Sequence, residues 1–565
     1  MRGASSLRSL RPCISRSLSS VRNSHSTPSN PLLTTAIVGS NPRYLNRCHS
    51  TSANTERCSK LESVGALKWP RIRSDRNAVS IAKYLERYAE LTPGEKRHQK
   101  NVVVRGRVVS VRKAGGQLFF LDVEAGGHSV QGVFEGKSIH SGSSSILQQF
   151  NEVFYVLRPG DIVALSGNPH RTKSGQLSVF GTDVPSILSP SLSIHPKELT
   201  DPEARVRNRH VDMLVNPKVL QTLRLRSHVI QYIRNFLLED NFLEVQTPIV
   251  AGDAGGAIAK PFITNATEFP EKQLALRIAP EIWLKRLLVG GMGSVFEIGP
   301  VFRNEGLDAT HNPEYTTCEF YKSFANLDDL IKMTEDMVVG IGGLVNELHA
   351  SPKKQFEAIP KVSEALLKSP FQRLEFVPTI ERQLGFKLPD LLSHTATEEL
   401  MAILKKNSIS IPSSPDLPRL LDRLATAYIE PLCDGPTFVI NHPACMAPLA
   451  KSYIDPSTKQ LVSARAELYI EKKEIANMYE EENSPIEQRD KLVQQAAFRR
   501  DENVATVDES YIGALEFGLP PTGGWGCGID RLVMHFAGAS RISDVLPFGS
   551  LRNVVNLVNP APRTR

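Results

Sequence analysis

The chain has 565 residues, 41% of them apolar and 22% charged, long and apolar enough for two or more folded domains. No run of about 18 apolar residues occurs, so no membrane-spanning helix is expected. The seven cysteines form no C-x-x-C pair and show no zinc-ligand spacing, which points to structural thiols in a reduced compartment rather than a disulfide framework.

The net charge of +7 sits entirely at the front: residues 1–55 carry seven arginines and no Asp or Glu, and the remainder carries 60 basic and 60 acidic side chains. That Ser-rich, Arg-rich leader, taken with a disordered stretch as residues 1–65, has the composition of a mitochondrial transit peptide; a basic tail that touches RNA would have the same composition. In the balanced body, any RNA contact must come from local patches. A helix is expected over Ala78 to Leu91, ended by Thr92-Pro93-Gly94. Lys68, Arg71, Arg73 and Arg76 cluster just before it, as a solvated face or an RNA contact.

From Asn101 the pattern alternates through NVVVRGRVVSV, GQLFFLDVE, SVQGVFE, GDIVALSGNPHRT and GQLSVFGTDV. Five short strands with Gly-containing turns predict a small closed barrel in a domain over residues 66–184. The Pro- and Ser-rich residues 185–200 read as a linker. Asn216 as cap and Pro217 at the first helical position then announce a long helix, with Leu220, Leu223, Ile230, Ile233 and Leu237 as its apolar stripe. Phe296 to Phe324 reads as a strand, a polar Gly-containing loop and a second strand. Arg303 ends the first of these strands, placed to grip a phosphate or carboxylate with its planar fork.

FRNEG followed by HNPEYT and CEFY resembles motif 2 of the class II aminoacyl-tRNA synthetases, in the form found in lysyl-tRNA synthetases. GLPPTGGWGCGIDRLVM (Gly518 to Met534) resembles motif 3, and the long helix plus NFLEVQTPIV, ending at Pro248, resembles motif 1. LRIAPEIWLKRLLVGG (Leu276 to Gly291) is similar to the lysyl enzymes as well. The resemblance implies an α+β chain: a five-stranded OB-type barrel, then a class II catalytic domain over residues 201–565, an antiparallel sheet flanked by helices, with a helical insertion at about 351–418. The activity it implies is ATP-dependent conversion of L-lysine to lysyl-adenylate and transfer to the 3′ end of tRNA(Lys). The expected setting is the mitochondrial matrix, as a homodimer with Mg²⁺ and without membrane attachment.

Residue by residue, the resemblance makes Arg303 and Arg531 the catalytic pair, Arg303 on the α-phosphate and the lysine carboxylate, Arg531 over the adenine and at the γ-phosphate. Glu305 would accept from the adenine amino group, His311 would contact the distal phosphates, Tyr315 would stack under the base, and Gly526 and Gly528 would admit the nucleotide. Glu467 and Glu474 match the Mg²⁺ ligands. Lysine would be held by Glu481 and Tyr321 at its ε-ammonium, and by Glu281, Glu319 and the backbone of Gly255 and Gly256 at its α-ammonium; Asn477 would hold its carboxylate and Tyr479 would lie along its methylenes. Phe119, Gln131 and Gln176 would read the central anticodon base in the barrel. Three departures from the family pattern stand out: Gln176 where Glu is usual, Cys445 where an acidic residue is usual, and Trp525, expected to narrow the nucleotide side of the cleft. Aspartyl and asparaginyl relatives share the barrel and motifs, but usually carry Gln at the position of Glu281 and would need an arginine at Glu481. An inactive RNA-binding paralogue would be expected to have lost Arg303, Arg531 or Glu474.

Overall fold

A computed structural model describes residues 52–98, 100–140, 143–252, 255, 259–351, 355–498 and 507–558. Most of the expected leader, and Gly256 of the expected lysine site, lie outside the described residues. The chain divides into two compact units, residues 1–67 and 68–565. In the first, Ser52–Ser63 is a helix, which corrects the expectation of a disordered stretch running to residue 65.

The second unit opens with a helix shorter than the sequence predicts, α1 (Ile81–Arg87), because Ser80 caps it by accepting from the Lys83 amide at 3.3 Å. Ala78 and Val79 instead run parallel to Val103 and Val104 as strand. The barrel is built from β1 (Val102–Lys113), β2 (Leu118–Ala125), β3 (His128–Glu135), a helix α2 (Ser144–Val156), β4 (Ile162–Arg171) and β5 (Leu177–Gly181). Pairing runs β1–β2–β3–β5–β4, and β4 returns to β1, so the sheet closes and leaves no open edge among these strands. Ser186–Ser189 pairs with β4, carrying barrel pairing into the stretch expected to be linker.

The catalytic region contains α3 (Pro217–Glu239), β6 (Leu243–Glu244), α4 (Glu281–Val289), β7 (Ser294–Phe302), β8 (Glu314–Ser323) and α5 (Leu327–Ala350). There follow β9 (Gln372–Glu375), α6 (Phe376–Leu384), α7 (Ala396–Lys406), α8 (Leu417–Tyr428), β10 (Thr437–Ile440), β11 (Arg465–Ile470), β12 (Lys473–Glu480), α9 (Glu509–Leu515), β13 (Thr522–Gly528) and α10 (Ile529–Ala537). Among the described residues, eight strands form one sheet in the order β9-β10-β11-β12-β13-β8-β7-β6, antiparallel except for its two outermost pairs. The helix α3 starts at Pro217 as expected, but Asn216 donates its side-chain amide to the Leu199 carbonyl at 3.0 Å instead of capping. Its fully buried spine is Leu225, Val229, Ile233 and Leu237, which keeps Ile233 and Leu237 of the expected stripe, with Leu220, Leu223 and Ile230 half-buried. That spine packs with Phe296, Phe320, Met478 and Trp525 on one face of the sheet, each buried side chain contributing about 1.5–3 kcal/mol. Helices α6, α7 and α8 share a separate apolar cluster around Leu400, Leu404, Leu420 and Leu424, which gives the expected insertion its own core.

Candidate active site

The face of the eight-stranded sheet opposite that core is where the chemistry collects, and strand register explains why. Side chains directly opposite one another on neighbouring strands share a face. One row across the sheet reads Glu467, Asn477, Gly526, Glu319 and Glu297; the next reads Arg465, Tyr479, Gly524, Tyr321 and Val295. Residues 180 and more apart in sequence are thereby set side by side. The two glycines at the centre leave the floor open. A Cβ on Gly524 would collide with Glu481 Oε1 and lie 2.7 Å from the Tyr321 ring, whereas one on Gly526 would meet only Glu319, at 3.5 Å.

Over this floor lies a cavity of about 1030 Å³, lined by Arg303, Glu305, His311, Tyr315, Glu319, Tyr321, Glu467, Glu474, Asn477, Tyr479, Gly528 and Arg531, with Glu281 and Gly255 at one end. Arg303 and Arg531, 228 positions apart, thus face one space. Arg303 stands 5.5 Å from the Tyr315 ring centre and donates to the Ile278 carbonyl at 3.4 Å. Arg531 donates to the Glu474 carbonyl at 3.2 Å and meets His311 at 2.6 Å. Glu305 and His311 sit exposed on the loop between β7 and β8.

At the other end the groups are dry. Glu281 is buried on the first turn of α4 and accepts from Lys285 Nζ at 2.6 Å and from the Tyr479 hydroxyl at 2.7 Å. Glu319 accepts from the Tyr321 hydroxyl at 3.4 Å, and burial together with the nearby Glu281 charge pushes its carboxyl up to about 8. Glu481 is fully buried behind the cavity lining and ion-paired with Lys285, and burial pushes its carboxyl well above the usual range. Tyr511, on α9, is buried with its ring centre 5.8 Å from the Lys285 ammonium.

Glu467 is fully engaged: Arg465 donates to one oxygen, His442 and Tyr469 lie at 3.1 Å from the other, and the Arg465 charge with the hydrogen bonds from His442 and Tyr469 holds its carboxyl well below the usual range despite burial. Glu474 is two-fifths exposed, 3.8 Å from Arg531, and burial plus the Glu467 charge push its carboxyl up. Asn477 receives a hydrogen bond at its oxygen from Arg465 at 3.3 Å, which leaves its amide hydrogens toward the cavity floor.

Two expectations are corrected here. Trp525 does not narrow the cleft: it alternates with Gly524 and Gly526 along β13, so its indole points to the core, stacks on Phe320 at 4.8 Å and donates to Thr334 at 2.9 Å. Phe119 does not face a base: it is 9% exposed and stacked on Phe154 at 4.2 Å inside the barrel, while Phe120 is turned outward beside Arg112. Gln131 is buried and donates to Asp122 at 3.3 Å; Gln176 is exposed on the turn before β5. Cys445 lines the cavity with its thiol pushed up to about 12 by burial. Sequence reasoning missed Lys285, Arg465 and Tyr511. The first two were legible, Lys285 as an i,i+4 partner of Glu281 on a helix and Arg465 two residues before Glu467 on a strand; nothing in ESYIGAL marks Tyr511.

A family model described as tRNA synthetases class II (D, K and N) matches residues 201–552, and one described as an OB-fold nucleic acid binding domain matches residues 102–197. The chain belongs to the class II tRNA synthetases. This synthetase is 40% identical over 507 residues to a lysine–tRNA ligase, mitochondrial, of Schizosaccharomyces pombe, covering 88% of this chain and 93% of the relative. It is 41% identical over 460 residues to a probable lysine–tRNA ligase, cytoplasmic, of Encephalitozoon cuniculi, covering 79% and 86%. It is 36% identical over 509 residues to a lysine–tRNA ligase, mitochondrial, of Saccharomyces cerevisiae, covering 84% and 87%. The synthetase's two family matches correspond to the barrel and to the large sheet with its helices.

Proposed function

We propose that this synthetase is a lysine–tRNA ligase acting in the mitochondrial matrix. One observation carries the choice of amino acid: at the dry end, Glu281 and Glu319 line the cavity, and behind them the buried Glu481 is paired, like Glu281, with Lys285. An acidic substrate would need net positive charge there, and Lys285 is already shared by two carboxylates. A long cationic side chain is the complement.

The reaction needs no protein nucleophile. A lysine carboxylate oxygen attacks the α-phosphorus of ATP, the bond to the bridging oxygen breaks, and pyrophosphate leaves; the terminal hydroxyl of tRNA(Lys) then takes the lysyl group and AMP departs. Catalysis is alignment plus positive charge where phosphate charge builds up. Arg303 at the centre would hold the α-phosphate and the lysine carboxylate, with Asn477 alongside, while Arg531 and His311 would take the outer phosphates. Tyr315 and Arg531 would enclose the adenine, with Glu305 at its amino group and Gly528 giving clearance. At the dry end Glu481 and Tyr321 would receive the ε-ammonium, Glu281, Glu319 and the Gly255 backbone the α-ammonium, and Tyr479 the methylenes.

A divalent cation fits the donor set, because Glu474 has an accessible carboxylate beside the mutually repelling Glu467. Glu474 would hold Mg²⁺, which supplies neutralisation of phosphate charge, and Glu467 would join it by giving up bonds to Arg465, His442 or Tyr469. In the barrel, the exposed Gln176 and the outward Phe120 are the residues we assign to anticodon contact, and the buried Gln131 would reach a base only by leaving Asp122. A homodimer through the motif 1 region accords with exposed Leu243, Ile249, Val250 and Ile263. The matrix assignment rests on the acid-free leader and on the mitochondrial relatives. ATP–pyrophosphate exchange with each of the twenty amino acids tests the proposal. Lysine alone should support exchange; exchange with aspartate instead would reverse the substrate assignment.

A further inference from the structure

The buried cation beside Glu481 has no part in the reaction as laid out. Lys285 lies one turn after Glu281 on α4 and has no exposed surface. Its ammonium is 2.6 Å from Glu281, ion-paired with Glu481, and 5.7 to 5.8 Å from the ring centres of Tyr321, Tyr479 and Tyr511. Carboxylates and aromatic faces arranged in this way make an ammonium cage, and its occupant belongs to the chain itself. Burial would discharge a lone lysine, but the charges of Glu281 and Glu481 outweigh it and hold this ammonium well above the usual range.

Resting on the reading of this slot as the lysine site, we infer that Lys285 is a positioning residue that determines specificity. Its fixed ammonium pairs with both Glu281 and Glu481, and so holds these two carboxylates in place for the ammonium groups of free L-lysine. Glu281, Glu319 and Glu481 could not all stay ionised in a dry site without a counter-charge, and one would hold a proton that the substrate must displace. With Lys285 in place, that proton sits on Glu319, whose carboxyl is held up to about 8, while Glu281 and Glu481 share the Lys285 charge. An amino acid with a single ammonium leaves a buried carboxylate unmatched, and an acidic side chain meets net negative charge. Lys285 also fixes direction: by tying Glu281 to Glu481 it sets both carboxylates at the end of the slot.

Lysine-dependent ATP–pyrophosphate exchange on the full chain, comparing wild type with Lys285→Gln and Lys285→Ala, tests this. In Lys285→Gln the KM for lysine should rise about tenfold or more while the KM for ATP stays within about twofold, a split that general misfolding would not give. In Lys285→Ala, added n-propylammonium should lower the lysine KM about fivefold or more, and n-propanol of nearly the same size should not. An unchanged lysine KM in Lys285→Gln overturns the inference, as does equal rescue by propanol, which would make Lys285 packing alone. If the alanine variant does not fold, the glutamine variant decides. Absence of lysine-dependent exchange in the wild type would instead bring down the reading of the slot itself.

Discussion

Glu481 is a carboxylate that the fold does not satisfy by itself: it is fully buried, and it shares its ion-pair partner, Lys285, with Glu281. Hydrogen bonds to a charged group are worth about 1.5–3 kcal/mol, so Glu481→Gln should cost lysine about 10- to 100-fold in kcat/KM in the exchange assay, with ATP binding unchanged. Equal losses for both substrates would show that the residue supports the whole site rather than the slot. Glu319 makes a different prediction. Its carboxyl is held up to about 8, so below that pH it carries a proton which an arriving ammonium must expel. The sign is therefore that lysine binds more tightly as pH rises from 6.5, the dissociation constant falling by up to about tenfold per unit and levelling off near 8. Glu319→Gln should abolish that slope in a calorimetric titration, even if affinity is lower throughout.

At the scale of single elements, β13 shows what alternation decides. Gly524 and Gly526 face the cavity, and Trp525 and Cys527 face the core. Gly524→Ala should push against Glu481 and Tyr321 and reduce lysine activation far more than ATP binding, read from the two KM values in exchange. Trp525→Phe should lower unfolding free energy by about 0.5–1.5 kcal/mol through the lost bond to Thr334, with exchange unaffected. A changed ATP KM would restore the cleft-narrowing role. This strand also explains how far the sequence could be read. Motif spacing located Arg303, Glu319, Asn477, Glu481 and Arg531, and all of them come to one sheet face or its rim. The side on which Trp525 falls was legible too, from its place between two glycines of the floor. Phe119 was not: two adjacent phenylalanines must take opposite sides of β2, and only α2 with Phe150 and Phe154 decides which is inside. The stripe of α3 was placed correctly at Ile233 and Leu237 and missed at its start, since Leu220, Leu223 and Ile230 keep helical spacing on a flank of the spine that the sheet actually covers.

Across the whole molecule, the three motifs are tied at one point. Arg226 of α3 is paired with Asp530 of α10 and donates to Thr316 of β8 at 2.8 Å, while Asp530 also accepts from the Thr316 amide at 2.9 Å. Removing one member of such a buried pair strands the other, so Asp530→Ala should lower unfolding free energy by about 3–5 kcal/mol in denaturant titrations, although Asp530 is assigned no substrate contact. The barrel should behave as a separable reader. Gln176→Ala should weaken tRNA charging and leave exchange intact, and equal loss of both steps would mean its role has been misassigned. The paired rows of the large sheet carry one more consequence, concerning which changes in length the chain can survive. Facing is a matter of odd and even, so one extra residue between Ala476 and Asn477 would turn Asn477 and Tyr479 into the apolar core and bring Met478 out onto the cavity face. Two extra residues would restore the facing but displace it by about 7 Å. Within β12, then, evolution can exchange side chains freely only while the number of residues stays constant.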